Sequence, residues 1–165
     1  MIFAIIHEFG HLIAGLIVGM KPAKIEIRPL GVSIEFNIKE RDYNIKIKKG
    51  NLLEVKKIFV ACAGPLTNVL IIGILSIINI ANLSYNDKLL MIYSNILLII
   101  FNILPIYPLD GGRILKGIIY LLNGKHLAED YIYNISFITL IILTIFASIA
   151  ILFLRNIAIF LVIMF

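Results

Sequence analysis

The chain has 165 residues, is 61% hydrophobic, and carries a formal charge of +5 with a mean hydropathy of +1.02. Soluble domains are closer to half apolar, so the composition excludes an ordinary soluble domain and points to an integral membrane protein. The basic residues flank long apolar segments, where membrane topology accounts for them; this argues against a nucleic-acid partner. The single Cys62 excludes an internal disulfide and is expected to pack as a small apolar side chain.

In chain order, residues 1–20 form an apolar helix ended by Gly19 and Pro22. It would be about 30 Å long, just enough to cross a bilayer. It lacks the basic flank and small-residue cleavage site of a signal peptide. Residues 24–49 then alternate with period two through Ile25 and Ile27, through Val32, Ile34, Phe36 and Ile38, and through Ile45 and Ile47. This predicts a small antiparallel sheet of about three strands within an insert over 21–55, with turns at 29–31 and 40–44. Spans are expected at 56–82, 88–122 and 131–154, around the uncharged stretches 58–83, 89–109 and 132–154, with a short apolar run at 156–165 that resembles a cut-off further span. The segment over 88–122 is interrupted by Pro105 and Pro108, with a helical pattern resuming near Ile114; a proline break at membrane depth needs neighbouring protein to supply hydrogen-bond partners. The fold class predicted is an all-α polytopic membrane protein of about four to five transmembrane helices, with the β-sheet inserted after the first. Thirteen of the 15 Lys and Arg fall within 21–57 and 113–130, which places both stretches in the cytoplasm.

The chemistry starts in the first helix. His7 and His11 are four residues apart, so their imidazoles lie on one helix face, one turn apart, and converge on one point, as a tetrahedral Zn²⁺ requires. Glu8 reaches the remaining coordination position, where water is activated; the pattern H-E-x-x-H is a metalloprotease signature. Structural histidines in a helix bundle are the alternative, but three ionisable groups at membrane depth cost about 2.5 kcal/mol or more each unless partnered. A third metal ligand must come from elsewhere in the chain. Cys62 sits in a packing stretch beside Gly64 and Pro65, and His126 lies past the end of a span beside Lys125. Asp110 is the only acid between Lys88 and Glu129, follows two prolines and precedes two glycines, so its backbone is irregular and its carboxylate can be aimed. Its depth, measured from the cytoplasmic side, matches that of His11. Asn68, one helical turn beyond Gly64, is placed to hydrogen-bond either substrate backbone or a neighbouring helix.

The stretches HEFGH, AGPLTN and NILPIYPLDGG, in this order over residues 1–125, resemble the site-2 protease family of intramembrane zinc metalloproteases (peptidase M50). The short form and the strand-rich insert are most similar to the bacterial stage IV sporulation FB proteases. The resemblance implies one zinc held by His7, His11 and Asp110, with Glu8 as general base. It also implies substrate-binding roles for Asn68, Asn102 and a strand containing Gly31, Val32, Ser33 and Ile34. It implies a multi-pass protein of the bacterial cell membrane that acts in regulated intramembrane proteolysis. Its partners would be the lipid bilayer, a membrane-associated protein substrate such as a pro-sigma or anti-sigma factor, and inhibitory or regulatory membrane proteins. Family members usually carry a span before the first motif, and the sporulation proteases end in a CBS domain. Six residues precede His7, and neither a CBS nor a PDZ segment is among the 165 residues. The chain is therefore expected to be a fragment or to lack that regulation. The function predicted is hydrolysis of a peptide bond in or near a membrane segment. The alternative is a metal-ion transporter built on the same His/Asp cluster. A transporter, however, would favour a series of ionisable sites and has little use for a base that does not bind the metal.

Overall fold

The computed structural model describes residues 2–28, 31–37, 46–77 and 84–154. Helix α1 (Ile2–Ile17) buries His7, Gly10, His11, Ala14 and Gly15, a single stripe at three- and four-residue spacing. Ile2, Phe9, Ile13, Leu16 and Ile17 point away from the protein. The helix stops where the glycine signal places its end. Gly19 takes φ +77, Met20 N–H donates to Gly15 O (2.8 Å) and Gly19 N–H to Leu16 O (3.0 Å), closing a Schellman motif. With 16 residues, α1 is about 24 Å long, shorter than the span expected from residues 1–20.

Strands β1 (Lys21–Arg28) and β2 (Gly31–Asn37) pair antiparallel, from Lys21 opposite Asn37 to Arg28 opposite Gly31. The register is irregular between Pro22 and Lys24, where proline brings no backbone donor. The expected three-stranded sheet does not form among the described residues. Lys46 to Lys49, read as part of a third strand, instead open helix α2 (Lys46–Ile77). The alternation there covers only two isoleucines. The downstream residues follow a helical period instead: Leu53 and Val60, seven apart, face Ala14 and Met20, and Lys57 donates to Glu54 one turn earlier at 2.6 Å. The longer periodic segment decides the state. The connection expected at 40–44, Ile45 itself, and the apolar run at 156–165 lie outside the described residues.

Helix α2 is the centre of the fold: α1, α3 (Tyr85–Ile103) and α4 (Asp110–Asn123) all pack on it, and α5 (Lys125–Leu154) packs on α4. Glycines set the closest approaches. A Cβ at Gly10 would run into Thr67 Oγ1 and stand 3.0 Å from Ala63 O, and one at Gly117 would stand 2.5 Å from Ile58 Cγ1. Among the described residues, three helical stretches are long and apolar enough to cross a membrane: Asn51–Ile77, Tyr85–Ile103 and Lys125–Ile149. Their outer faces expose Leu70, Ile74, Leu97, Ile100, Phe137, Ile142 and Phe146. An apolar surface of this extent is foreign to soluble monomers and suits lipid.

Candidate metal centre

Between α3 and α4 the chain breaks over residues 104–109, and this break aims the first residue of α4. Pro105 and Pro108 cannot continue the helical ladder, and the freed backbone groups find other partners. Ile106 N–H donates to Leu104 O and Leu109 N–H to Ile106 O, both at 2.8 Å. Ser136, buried on α5, accepts from Tyr107 N–H at 3.0 Å and donates to Pro105 O at 3.5 Å. Lys116 Nζ lies 5.1 Å from the Tyr107 ring centroid. Gly111 and Gly112 let α4 begin directly against this loop: side chains there would strike the Ile103 and Ile106 carbonyls. Asp110 is therefore not on irregular backbone, as its sequence context predicts, but is the first residue of α4, with Leu109 as N-cap. An acid at a helix N-terminus is favoured by the helix dipole.

The consequence is a buried triangle of donor atoms. Asp110 Oδ2 lies 3.0 Å from His7 Nε2 and 3.1 Å from His11 Nε2, and the two Nε2 atoms are 3.2 Å apart. All three residues are buried. Glu8, partly buried, brings a carboxylate oxygen within 4.8 Å of both imidazoles. Four-coordinate zinc with bonds of about 2.0–2.1 Å spaces its ligand atoms roughly 3.3–3.4 Å apart. The observed edges are within a few tenths of an ångström of that. A proton bridges only one edge of such a triangle, whereas a cation satisfies all three corners. Gly64 supplies the remaining room: a Cβ there would meet His11 Nε2 and stand 2.6 Å from His7 Nε2, among the donors themselves. Two neutral nitrogens, one carboxylate oxygen and a side-chain-free wall fit a zinc ion.

Each imidazole is held through its other nitrogen. His11 Nδ1–H donates to Val60 O at 2.7 Å. His7 Nδ1 faces the Asn68 amide, whose Nδ2 is 3.2 Å away. Sequence reasoning leaves Asn68 between substrate and a neighbouring helix; the structure gives it a partner on the neighbouring helix and buries it fully. Asn102 Nδ2 donates to Leu98 O at 2.9 Å within α3, one turn before the proline loop. Gly31, Val32, Ser33 and Ile34 lie on β2, opposite Arg28, Ile27, Glu26 and Ile25, in the ribbon that packs beside α1. His126 is 98% exposed and lies 3.5 Å from Asp130, away from the cluster, and Cys62 is a free thiol outside the triangle. Val60, Ser136 and the contact at Gly64 are functional features that the sequence pattern does not reveal. No local signal marks them: Pro65, inside α2, withholds a donor from the carbonyl four residues back, that of Ala61, not from Val60.

Residues 71–146 match the model of Peptidase family M50, whose members are zinc-dependent metallopeptidases. No curated protein sequence matches the chain. The matched stretch contains Asn102 and Asp110 but begins well past His7, Glu8 and His11. The likeness supports a metallopeptidase, and the apolar helices support a membrane setting.

Proposed function

We propose that the protein is an intramembrane zinc metalloprotease of the site-2 type, hydrolysing a peptide bond in or near a membrane segment of a substrate protein. The observation that carries this reading is the meeting of two independent halves. The M50 match covers Asp110 without the first helix, and the fold sets that carboxylate 3.0–3.1 Å from both imidazoles of an H-E-x-x-H helix. His7, His11 and Asp110 would hold the ion, and Glu8 would serve as base. When bound, zinc supplies Lewis acidity towards the scissile carbonyl and makes water acidic enough to be deprotonated near neutral pH.

The remaining work belongs to the chain. Glu8, on the same helix turn as the imidazoles but outside the triangle, takes the proton from water and passes it to the leaving amine. A peptide bond in a helix is shielded by its own hydrogen bonds, so the substrate must be unwound before it is cut. Strand β2 has no second neighbour among the described residues, and its open edge, with Gly31, Val32, Ser33 and Ile34, offers an unwound segment backbone partners by strand addition. Asn102, near the proline loop, is assigned to substrate contact on the strength of the resemblance. The sporulation-type substrates, a pro-sigma or anti-sigma factor, belong to the same proposal. Metal transport is not favoured: among the described residues His7, Glu8 and His11 make a single metal-competent group, with no series of such groups along the spans, and a transporter has little use for Glu8 as a base.

The test is co-expression with single-span candidate substrates, comparing wild type with Glu8→Gln. The variant keeps size and hydrogen bonding, so zinc stays while cleavage falls about 10²- to 10⁴-fold, the usual contribution of a general base. Cleavage by Glu8→Gln at the wild-type rate overturns the proposal.

A further inference from the structure

Among the described residues, two side chains are fully enclosed and hold an amide oxygen without a hydrogen-bond partner: Asn68 and Asn95. Asn95 returns its Nδ2 to Met91 O on its own helix at 2.8 Å. Asn68 instead reaches across to α1, with Nδ2 3.2 Å from His7 Nδ1. An imidazole that ligates through Nε2 must carry its proton on Nδ1, and needs an acceptor there. For His11 the backbone provides one, the Val60 carbonyl at 2.7 Å, which no side-chain substitution removes. For His7 the group within reach is the Asn68 amide.

That amide has two settings of identical shape, related by half a turn about its last side-chain bond. In the structure its nitrogen faces His7. Asn68 then donates to Nδ1, so the ring proton sits on Nε2 and is donated to Asp110 Oδ2 at 3.0 Å. This setting ties His7 to the carboxylate and leaves it no lone pair for a cation. The other setting brings the partnerless Oδ1 to Nδ1. One proton leaves Nε2 and one binds at Nδ1, the ring stays neutral, and the Nε2 lone pair turns towards His11 Nε2 and Asp110 Oδ2. We infer that Asn68 is the positioning residue of His7: its amide oxygen accepts the Nδ1–H and selects the tautomer in which Nε2 can bind a divalent cation. The inference rests on the metallopeptidase reading and assigns Asn68 to the metal's outer shell rather than to substrate.

The test uses the full chain, purified in detergent, with Zn²⁺ affinity measured by chelator competition for wild type, Asn68→Leu and Asn68→Asp. Leu matches Asn in size and offers no acceptor; Asp retains one. Loss of the outer-shell partner is expected to weaken Zn²⁺ binding 10- to 100-fold in Asn68→Leu, with Asn68→Asp within about threefold of wild type and thermal unfolding of the metal-free Leu variant no lower than wild type's. Equal Zn²⁺ affinity for wild type and Asn68→Leu overturns the inference and leaves the metallopeptidase reading standing. Equal weakening in the Leu and Asp variants overturns it too, since Asn68 is then only packing. A wild type that binds no Zn²⁺ fails both, and that failure is visible without any variant. A second measurement does not depend on the variants folding: ¹⁵N NMR of histidine-labelled, zinc-loaded wild type should show His7 protonated at Nδ1. Protonation at Nε2 with ligation through Nδ1 overturns the inference.

Discussion

Gly64→Ala adds one methyl group to the wall of the donor triangle, and the structure fixes what that methyl meets. It would lie 2.6 Å from His7 Nε2 and 2.5 Å from His11 Cε1, where ordinary contacts begin near 3.4 Å. Relief requires a shift of about 0.9 Å or more, either of α1 away from α2 or of both rings off their carbonyl and amide partners. Metal sites tolerate about 0.2 Å in ligand position, so the displacement is several times what the site can absorb. The helix itself gains from the change, since glycine inside a helix costs roughly 0.5–1 kcal/mol relative to alanine, which offsets part of an overpacking penalty of about 1–3 kcal/mol. The metal-free variant should therefore unfold within a few degrees of wild type while its zinc content falls from about one per chain, the stoichiometry of a three-ligand site, to a small fraction of that. Gly73→Ala is the matched control: it lies on the same helix, its Cβ meets nothing within 4 Å, and it should keep full zinc with equal or higher stability. Elemental analysis of the purified proteins, paired with thermal unfolding in the same detergent, reads both quantities. Wild-type zinc content in Gly64→Ala would refute the assignment of the triangle as the metal site.

Asp110→Ala should abolish stoichiometric zinc by the same assay, whereas His126→Ala, at a 98% exposed side chain, should leave it unchanged; the opposite result would mean a wrongly assigned third ligand. Ser136→Ala strips a buried loop of the acceptor for Tyr107 N–H, at an expected cost of about 1–3 kcal/mol, seen as a lowered unfolding temperature together with weaker zinc binding because the loop no longer fixes Asp110. Cysteines placed at Lys48 and at Asn86 in a Cys62→Ala background should label from opposite sides of the membrane, since they flank the two ends of α2, roughly 40 Å apart along the helix axis; labelling from one side would refute the reading of α2 as a span.

The sequence by itself determined the parts whose signals are local. Hydropathy marked the long apolar helices because lipid demands an uninterrupted apolar run, and Gly19 marked the end of α1 because only a residue at ease with positive φ completes that cap. The four-residue spacing put His7 and His11 on one face, since helix geometry alone aligns them. Asp110 stood out as a lone acid between two prolines and two glycines, although the same context misplaced it on irregular backbone when it begins a helix. Tertiary structure decided the rest. The strand period at Ile45 and Ile47 was too short to prevail once Leu53 and Val60 had Ala14 and Met20 to pack against, so α2 starts at Lys46. Nothing local connects Asp110 with His7, 103 positions away; the two meet because glycines at 10, 64, 111, 112 and 117 let four helices and a loop approach to backbone distance. The Val60 carbonyl and the Ser136 hydroxyl acquire their roles only there, because a hydrogen-bond partner is defined by position in space, and neither residue type announces in sequence which group it will face.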